Sequence, residues 1–146
     1  MKRKKENRTH TIPFLMKLIT DRASTLFAEK TDDCPVTAAQ ARVVMYLKRQ
    51  EPRVVSQHEL EKYLGVSHST IRGLVQRLEE KGYVRSEFDA RDGRVKNVYL
   101  TDACERYRKR MHENLAALDA LLLRGLSEKE QADMIRMLEH IYDNIS

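Results

Sequence analysis

Apolar residues in the first part of the chain recur with the period of a helix. Ile12, Leu15, Leu18, Ile19, Leu26 and Phe27 line one side of a predicted first helix over about residues 11–30. The run Thr31-Asp32-Asp33-Cys34-Pro35 breaks it. Thr37-Ala38-Ala39-Gln40 has the form of a capping box, and Val43, Val44, Tyr46 and Leu47 continue from it as a second helix that Pro52 ends. Ser56-Gln57-His58-Glu59 is another capping box, with Val55 and Leu60 placed to form a hydrophobic staple. The third helix is short and stops at Gly65, a residue suited to a left-handed C-cap. Ser67 opens a fourth, whose stripe is Ile71, Leu74, Val75 and Leu78, and Gly82 closes it.

The period then falls from 3.6 to 2. Val84–Phe88 and Val95–Leu100 alternate as strands, and Asp92-Gly93 between them is a hairpin signal. Thr101 caps a long fifth helix carrying Tyr107, Met111, Leu115, Leu118 and Leu122, which ends near Gly125. Ser127-Glu128-Lys129-Glu130 is a third capping box, opening a last helix with Met134, Leu138, Ile141 and Ile145 on one face. The expected fold is mainly α with a small β-wing: a helix-turn-helix followed at once by a hairpin, flanked by N- and C-terminal helices. Those terminal helices carry more apolar surface than so small a winged helix can cover. A homodimer packing them across a twofold axis is expected.

Composition narrows the function classes. A chain of 146 residues allows one domain, and no apolar run approaches the ~20 residues of a membrane helix; even Leu115–Leu126 is interrupted by Asp119 and Arg124. No signal peptide is visible, so no membrane partner is expected and a reducing cytoplasm is the default. Cys34 and Cys104 are too few for a disulfide framework and lack zinc spacing. The net charge is +5, but the first eight residues contribute +4 of it through Lys2, Arg3, Lys4, Lys5 and Arg8 against Glu6. The body is therefore close to neutral, and a nucleic-acid reading has to rest on where its cations stand.

They stand on the fourth helix and the hairpin. With the apolar stripe of the fourth helix turned inward, Ser69, Arg72, Gly73 and Gln76 fall on the opposite face. Arg72 can pair with guanine and Gln76 with adenine. Gly73 costs a helix roughly 1 kcal/mol relative to alanine, which a close approach of DNA could offset. Ser67, His68, Ser69 and Thr70 occupy a helix N-terminus, where hydroxyls and free amides suit phosphate, and Arg77 lies further along the same helix. Arg91, Arg94 and Lys96 surround Asp92 at the hairpin turn, where long cations reach a minor groove or a backbone. The candidate DNA-binding set is thus Ser67, His68, Ser69, Thr70, Arg72, Gly73, Gln76, Arg77, Arg91, Asp92, Arg94 and Lys96. A solvated helix face and a solvated hairpin tip are the plain alternatives for the two halves taken singly.

At this point the sequence resembles the MarR (multiple antibiotic resistance regulator) family of bacterial winged-helix regulators. The residues that carry the resemblance are Val36-Thr37-Ala38-Ala39-Gln40 through Leu47, Glu59-Leu60, Leu64-Gly65-Val66-Ser67, Leu78-Glu79-Glu80-Lys81-Gly82-Tyr83-Val84, Asp92-Gly93-Arg94 with Val98-Tyr99-Leu100-Thr101, and Gly125-Leu126-Ser127 leading to Glu130. The resemblance implies a domain over 11–146, with a winged helix-turn-helix core at about 36–101 and dimerisation helices at about 11–30 and 102–146; the charge run before it reads as a basic flexible tail at 1–10. It also implies that Arg94 is the wing-tip arginine of the minor groove and Asp92 its orienting partner. Glu61 departs from the pattern, standing where alanine is usual, and Cys104 stands near a customary glycine.

The expected function is that of a sequence-specific DNA-binding transcriptional regulator. It would be a repressor that binds a pseudo-palindromic double-stranded operator as a homodimer and is released by a small effector, aromatic by the resemblance. A cleft where the first, second and fifth helices meet could hold that effector, with Phe14, Lys17, Met45, Tyr46 and Met111 as candidate lining residues. Two alternatives stand beside it: a winged-helix protein-interaction module without DNA binding, and a cysteine-based oxidation sensor. Asp32 and Asp33 beside Cys34, and Asp102 and Glu105 beside Cys104, disfavour thiolates. The histidines His10, His58, His68, His112 and His140 show no paired helical spacing, so no metal or cofactor is expected. No nucleophile elbow, phosphate-binding glycine loop or His-Glu-x-x-His is present, so no enzyme is expected.

Overall fold

The computed structural model describes residues 10–30 and 34–146. The basic tail expected over 1–10, apart from its last residue, and the acidic residues Asp32 and Asp33 of the expected helix break lie outside the described residues.

The helices follow the apolar period and their caps. They are α1 (Ile12–Glu29), α2 (Ala38–Gln50), α3 (Gln57–Leu64), α4 (His68–Glu80), α5 (Asp102–Leu122) and α6 (Glu128–Asp143). Thr37 and Ser127 form complete capping boxes with Gln40 and Glu130. Gly65 has φ 63°, a left-handed conformation that lets the chain leave α3 and reach the Ser67 cap of α4 within three residues. The capping box expected at Ser56 is only half made: its hydroxyl accepts from Glu59 N, but the Glu59 carboxylate is turned to Arg53 and Tyr46 instead. Two charge-assisted bonds hold it better than one backbone amide would.

The sheet has three strands, one more than the sequence predicts. These are β1 (Val55–Ser56), β2 (Val84–Phe88) and β3 (Lys96–Leu100), ordered β1-β3-β2 and antiparallel throughout. Val55 pairs with Val98 in β3, and Val84 with Leu100. Val55 is therefore a strand residue, buried with Val84 and Val98 under the helices. The expected hairpin forms, with Val95 N donating to Asp92 O across its turn. Residues 89–95 connect β2 to β3, and Gly93 turns there without a positive φ. Carboxylates also shape the loop. Asp89 Oδ1 accepts from the amides of Arg91 (2.8 Å) and Asp92 (3.1 Å), while its Oδ2 accepts from the buried Asn97 Nδ2 (3.0 Å).

One core joins these elements. Val43, Val44 and Leu47 of α2, Leu60 of α3, and Ile71, Val75 and Leu78 of α4 are buried together with Val98 and with Met111 and Leu118 of α5. The outer helices share little of it. α1 contributes only Phe27, and α6 buries none of its residues. Ile12, Leu15, Leu18 and Ile19 on α1, with Ile135, Leu138 and Tyr142 on α6, remain exposed. Among the described residues, no helix is long and apolar enough to cross a membrane.

Candidate nucleic-acid interface

The inward stripe of α4 fixes which of its residues face out. Ile71, Leu74, Val75 and Leu78 are buried, so His68, Ser69, Thr70, Arg72, Gln76 and Arg77 are exposed and Gly73 is half-buried. At the N-terminus the Ser67 hydroxyl accepts from Thr70 N and lies 2.9 Å from Thr70 Oγ1 and 3.1 Å from Ser69 Oγ. Gln76 Nε2 donates to Glu80 at 3.4 Å, a long bond that base contact could replace.

The wing presents its arginine on a carboxylate. Asp92 Oδ1 accepts from the backbone N (3.0 Å) and Nε (3.2 Å) of Arg94, whose side chain is 92% exposed. The Arg94 bonds hold the Asp92 carboxyl below its usual range, and Asn97 does the same for Asp89. Lys96 lies over the Phe88 ring, 5.9 Å from its centroid.

Between α4 and the wing runs a groove of about 550 Å³. His68 and Arg72 line it from α4, Arg94 and Lys96 from the wing, and His58 and Glu61 from α3. Ser69, Thr70, Gly73, Gln76, Arg77, Arg91 and Asp92 lie outside this groove. The sequence reading did not include His58, Glu61 or Asp89 in the site. The i, i+3 spacing of His58 and Glu61 was the available signal for the first two, and an aspartate opening a loop for the third. Glu61 Oε1 is 2.6 Å from His68 Nδ1, and the bond holds the Glu61 carboxyl below its usual range. Behind them, Glu59 is drawn down to about 2 by Arg53 and then by the Tyr46 hydroxyl, which fixes the start of α3 to α2.

The effector residues predicted from the sequence do not converge. Met111 is wholly buried, Tyr46 donates to Glu59 at 2.6 Å, and Lys17 pairs with Asp21 on exposed α1. Phe14 meets the His10 ring in an edge contact, 5.2 Å between centroids. Of the five, Met45 lines a cleft of about 480 Å³ between α2, α3 and α5; a smaller one of about 150 Å³ lies where α1, α2 and α5 meet, lined by Ile19, Ala23, Arg42 and Leu118 and by none of the five. Met45, Leu115 and Leu118 give the larger cleft an apolar lining, and Arg42, Lys48, Arg49 and Arg108 give it positive charge against Asp119.

Both cysteines are buried. Desolvation raises the Cys34 thiol and pushes Cys104 up to about 11, so burial keeps both protonated. Among the described residues, no group of three or more side chains is placed to hold a metal ion.

A model of the MarR family matches residues 35–95, from the start of α2 through the wing loop. Solved structures align over most of the chain. MepR of S. aureus, in a complex with DNA, covers 93% of this chain and 99% of its own at a TM-score of 0.85 and 23% identity. PcaV of Streptomyces coelicolor, in complex with its natural ligand, covers 94% and 95% at 0.83 and 25%. BpsR of Bordetella bronchiseptica, whose DNA binding is regulated by 6-hydroxynicotinic acid, covers 93% and 96% at 0.82 and 22%.

Proposed function

We propose that this chain, whose residues 35–95 match a model of the MarR family, is a member of that family and a transcriptional repressor that binds double-stranded operator DNA as a homodimer. The observation that carries this reading is the convergence of Arg72 on α4 with Arg94 and Lys96 on the wing around one exposed groove. The exposed face of α4 would read base edges in the major groove. The wing would hold the flanking minor groove or backbone. Exposed apolar faces on α1 and α6 support the dimer, since a second copy can cover both at once.

Release by a small molecule follows from the same framework. The cleft between α2, α3 and α5 combines apolar walls with cations, and Arg42 has no hydrogen-bonded partner among the described residues. That chemistry suits a small aromatic carboxylate. Thr101 would link the cleft to the DNA face. Its hydroxyl donates to Gly82 O at 2.5 Å and its amide to Tyr83 O, which ties the start of α5 to the end of α4. An effector that prefers the non-binding arrangement by about 1–3 kcal/mol would lower operator affinity about 5- to 150-fold.

A gel shift with the DNA upstream of the protein's own coding sequence tests the reading. A retarded complex that resists competition by scrambled duplex, and dissolves on titration with an aromatic acid, is expected. Equal competition by scrambled DNA would remove sequence-specific recognition.

A further inference from the structure

At the floor of the groove one carboxylate stands between two imidazoles. Glu61 Oε1 is 2.6 Å from His68 Nδ1, and its Oε2 is 3.4 Å from His58 Nδ1. The Glu61 side chain keeps only 16% of its exposure, whereas the His58 and His68 side chains keep 72% and 71%. A carboxylate only accepts, so the His68 Nδ1 bonded to it carries the hydrogen. In the neutral ring the outer nitrogen, Nε2, is then an acceptor and cannot bond a phosphate oxygen. One added proton turns Nε2–H into a donor and the ring into a cation. His68 is the first residue of α4, where a helix-turn-helix meets the DNA.

Resting on the DNA-binding reading above, we propose that His68, positioned by Glu61 and accompanied by His58, is a proton-dependent phosphate contact, so that the protein takes up protons as it binds DNA. The groups around the pair set the sign. From α3, Glu61 favours the charged imidazoles. From α4, Arg72 and the positive end of the helix oppose them, and so do Arg94 and Lys96 from the wing. Phosphates entering the groove neutralise those cations and add charge of the favourable sign. Protonation is therefore easier in the complex than in the free protein. Linkage then makes affinity highest at low pH and lost as pH rises through the range where imidazole titrates, by at most about tenfold per pH unit for each proton taken up.

The tautomer and the linkage can be read separately. Long-range proton–nitrogen spectra of the free protein at alkaline pH should show His68 protonated on Nδ1; a ring protonated on Nε2 would overturn the proposal. Anisotropy with a mixed-sequence duplex at constant ionic strength should show affinity falling from about pH 6 to about pH 8. The slope should shrink in His68→Gln and vanish in the His58→Gln/His68→Gln double variant. In Glu61→Gln the same fall should move to lower pH. A flat wild-type profile, or a slope retained in the double variant, overturns this proposal alone. Absence of duplex binding at every pH overturns it together with the DNA-binding reading.

Discussion

Asp92 gives Arg94 a direction that an arginine on a loop otherwise lacks. Its two oxygens bracket the guanidinium, with Nε at 3.2 Å and a terminal nitrogen at 3.4 Å, so the side chain projects from the wing without folding back on it. Arg94→Ala should weaken binding to every duplex alike and flatten the salt dependence by about one unit of slope, because one fewer counterion is released. Asp92→Ala should act in the same direction, more weakly. Arg72→Ala should instead relax base preference, at about 1–3 kcal/mol if it reads guanine. Affinities measured against salt for specific and scrambled duplexes separate these cases; an unchanged slope in Arg94→Ala would make the wing a solvated loop. The pairing of Asp92 with Arg94 was visible in the sequence because both lie in one short motif. The bonds of Glu61 to His68 and of Asp89 to Asn97 were not, because they join different elements across a turn or a loop. The candidate effector residues lie apart from one another for a related cause. Tyr46 and Met111 sit at helical positions that serve the core as readily as a cleft, and only the packing of α2 on α5 decides between them.

Gly73 stands at the middle of α4. A methyl group there would meet no atom within 4 Å, so nothing in the chain's own packing requires glycine. Gly73→Ala should therefore stabilise the protein by about 1 kcal/mol and raise its Tm by a few degrees. The same change should weaken operator binding if the helix backbone lies close against the DNA. Thermal unfolding and operator affinity of the one variant test both halves; a gain in Tm with full affinity would show that DNA does not approach α4 at this point. At this scale the helices were legible, because their caps and apolar stripes are local signals that survive into the fold. β1 was not. Two residues carry no period, and their strand character comes from pairing with Val98 and Asn97, far along the chain. The wing hairpin was legible at Asp92-Gly93, whereas the part played by Asp89, which accepts two loop amides, was not.

Across the whole molecule, apolar surface and charge point to different partners. The exposed stripes of α1 and α6 lie outside the core, while the cations of α4 and the wing gather at the groove. A twofold dimer through the outer helices would place two copies of α4 about one DNA turn apart, roughly 34–36 Å. α5, anchored through Thr101 to the end of α4, would then transmit changes at the cleft into that spacing. Hydroxyl-radical footprinting on the upstream DNA tests this arrangement most directly. The account predicts two symmetric protected half-sites centred about one helical turn apart, with flanking protection that Arg94→Ala removes. A single protected half-site, or uniform protection that ignores sequence, would contradict it.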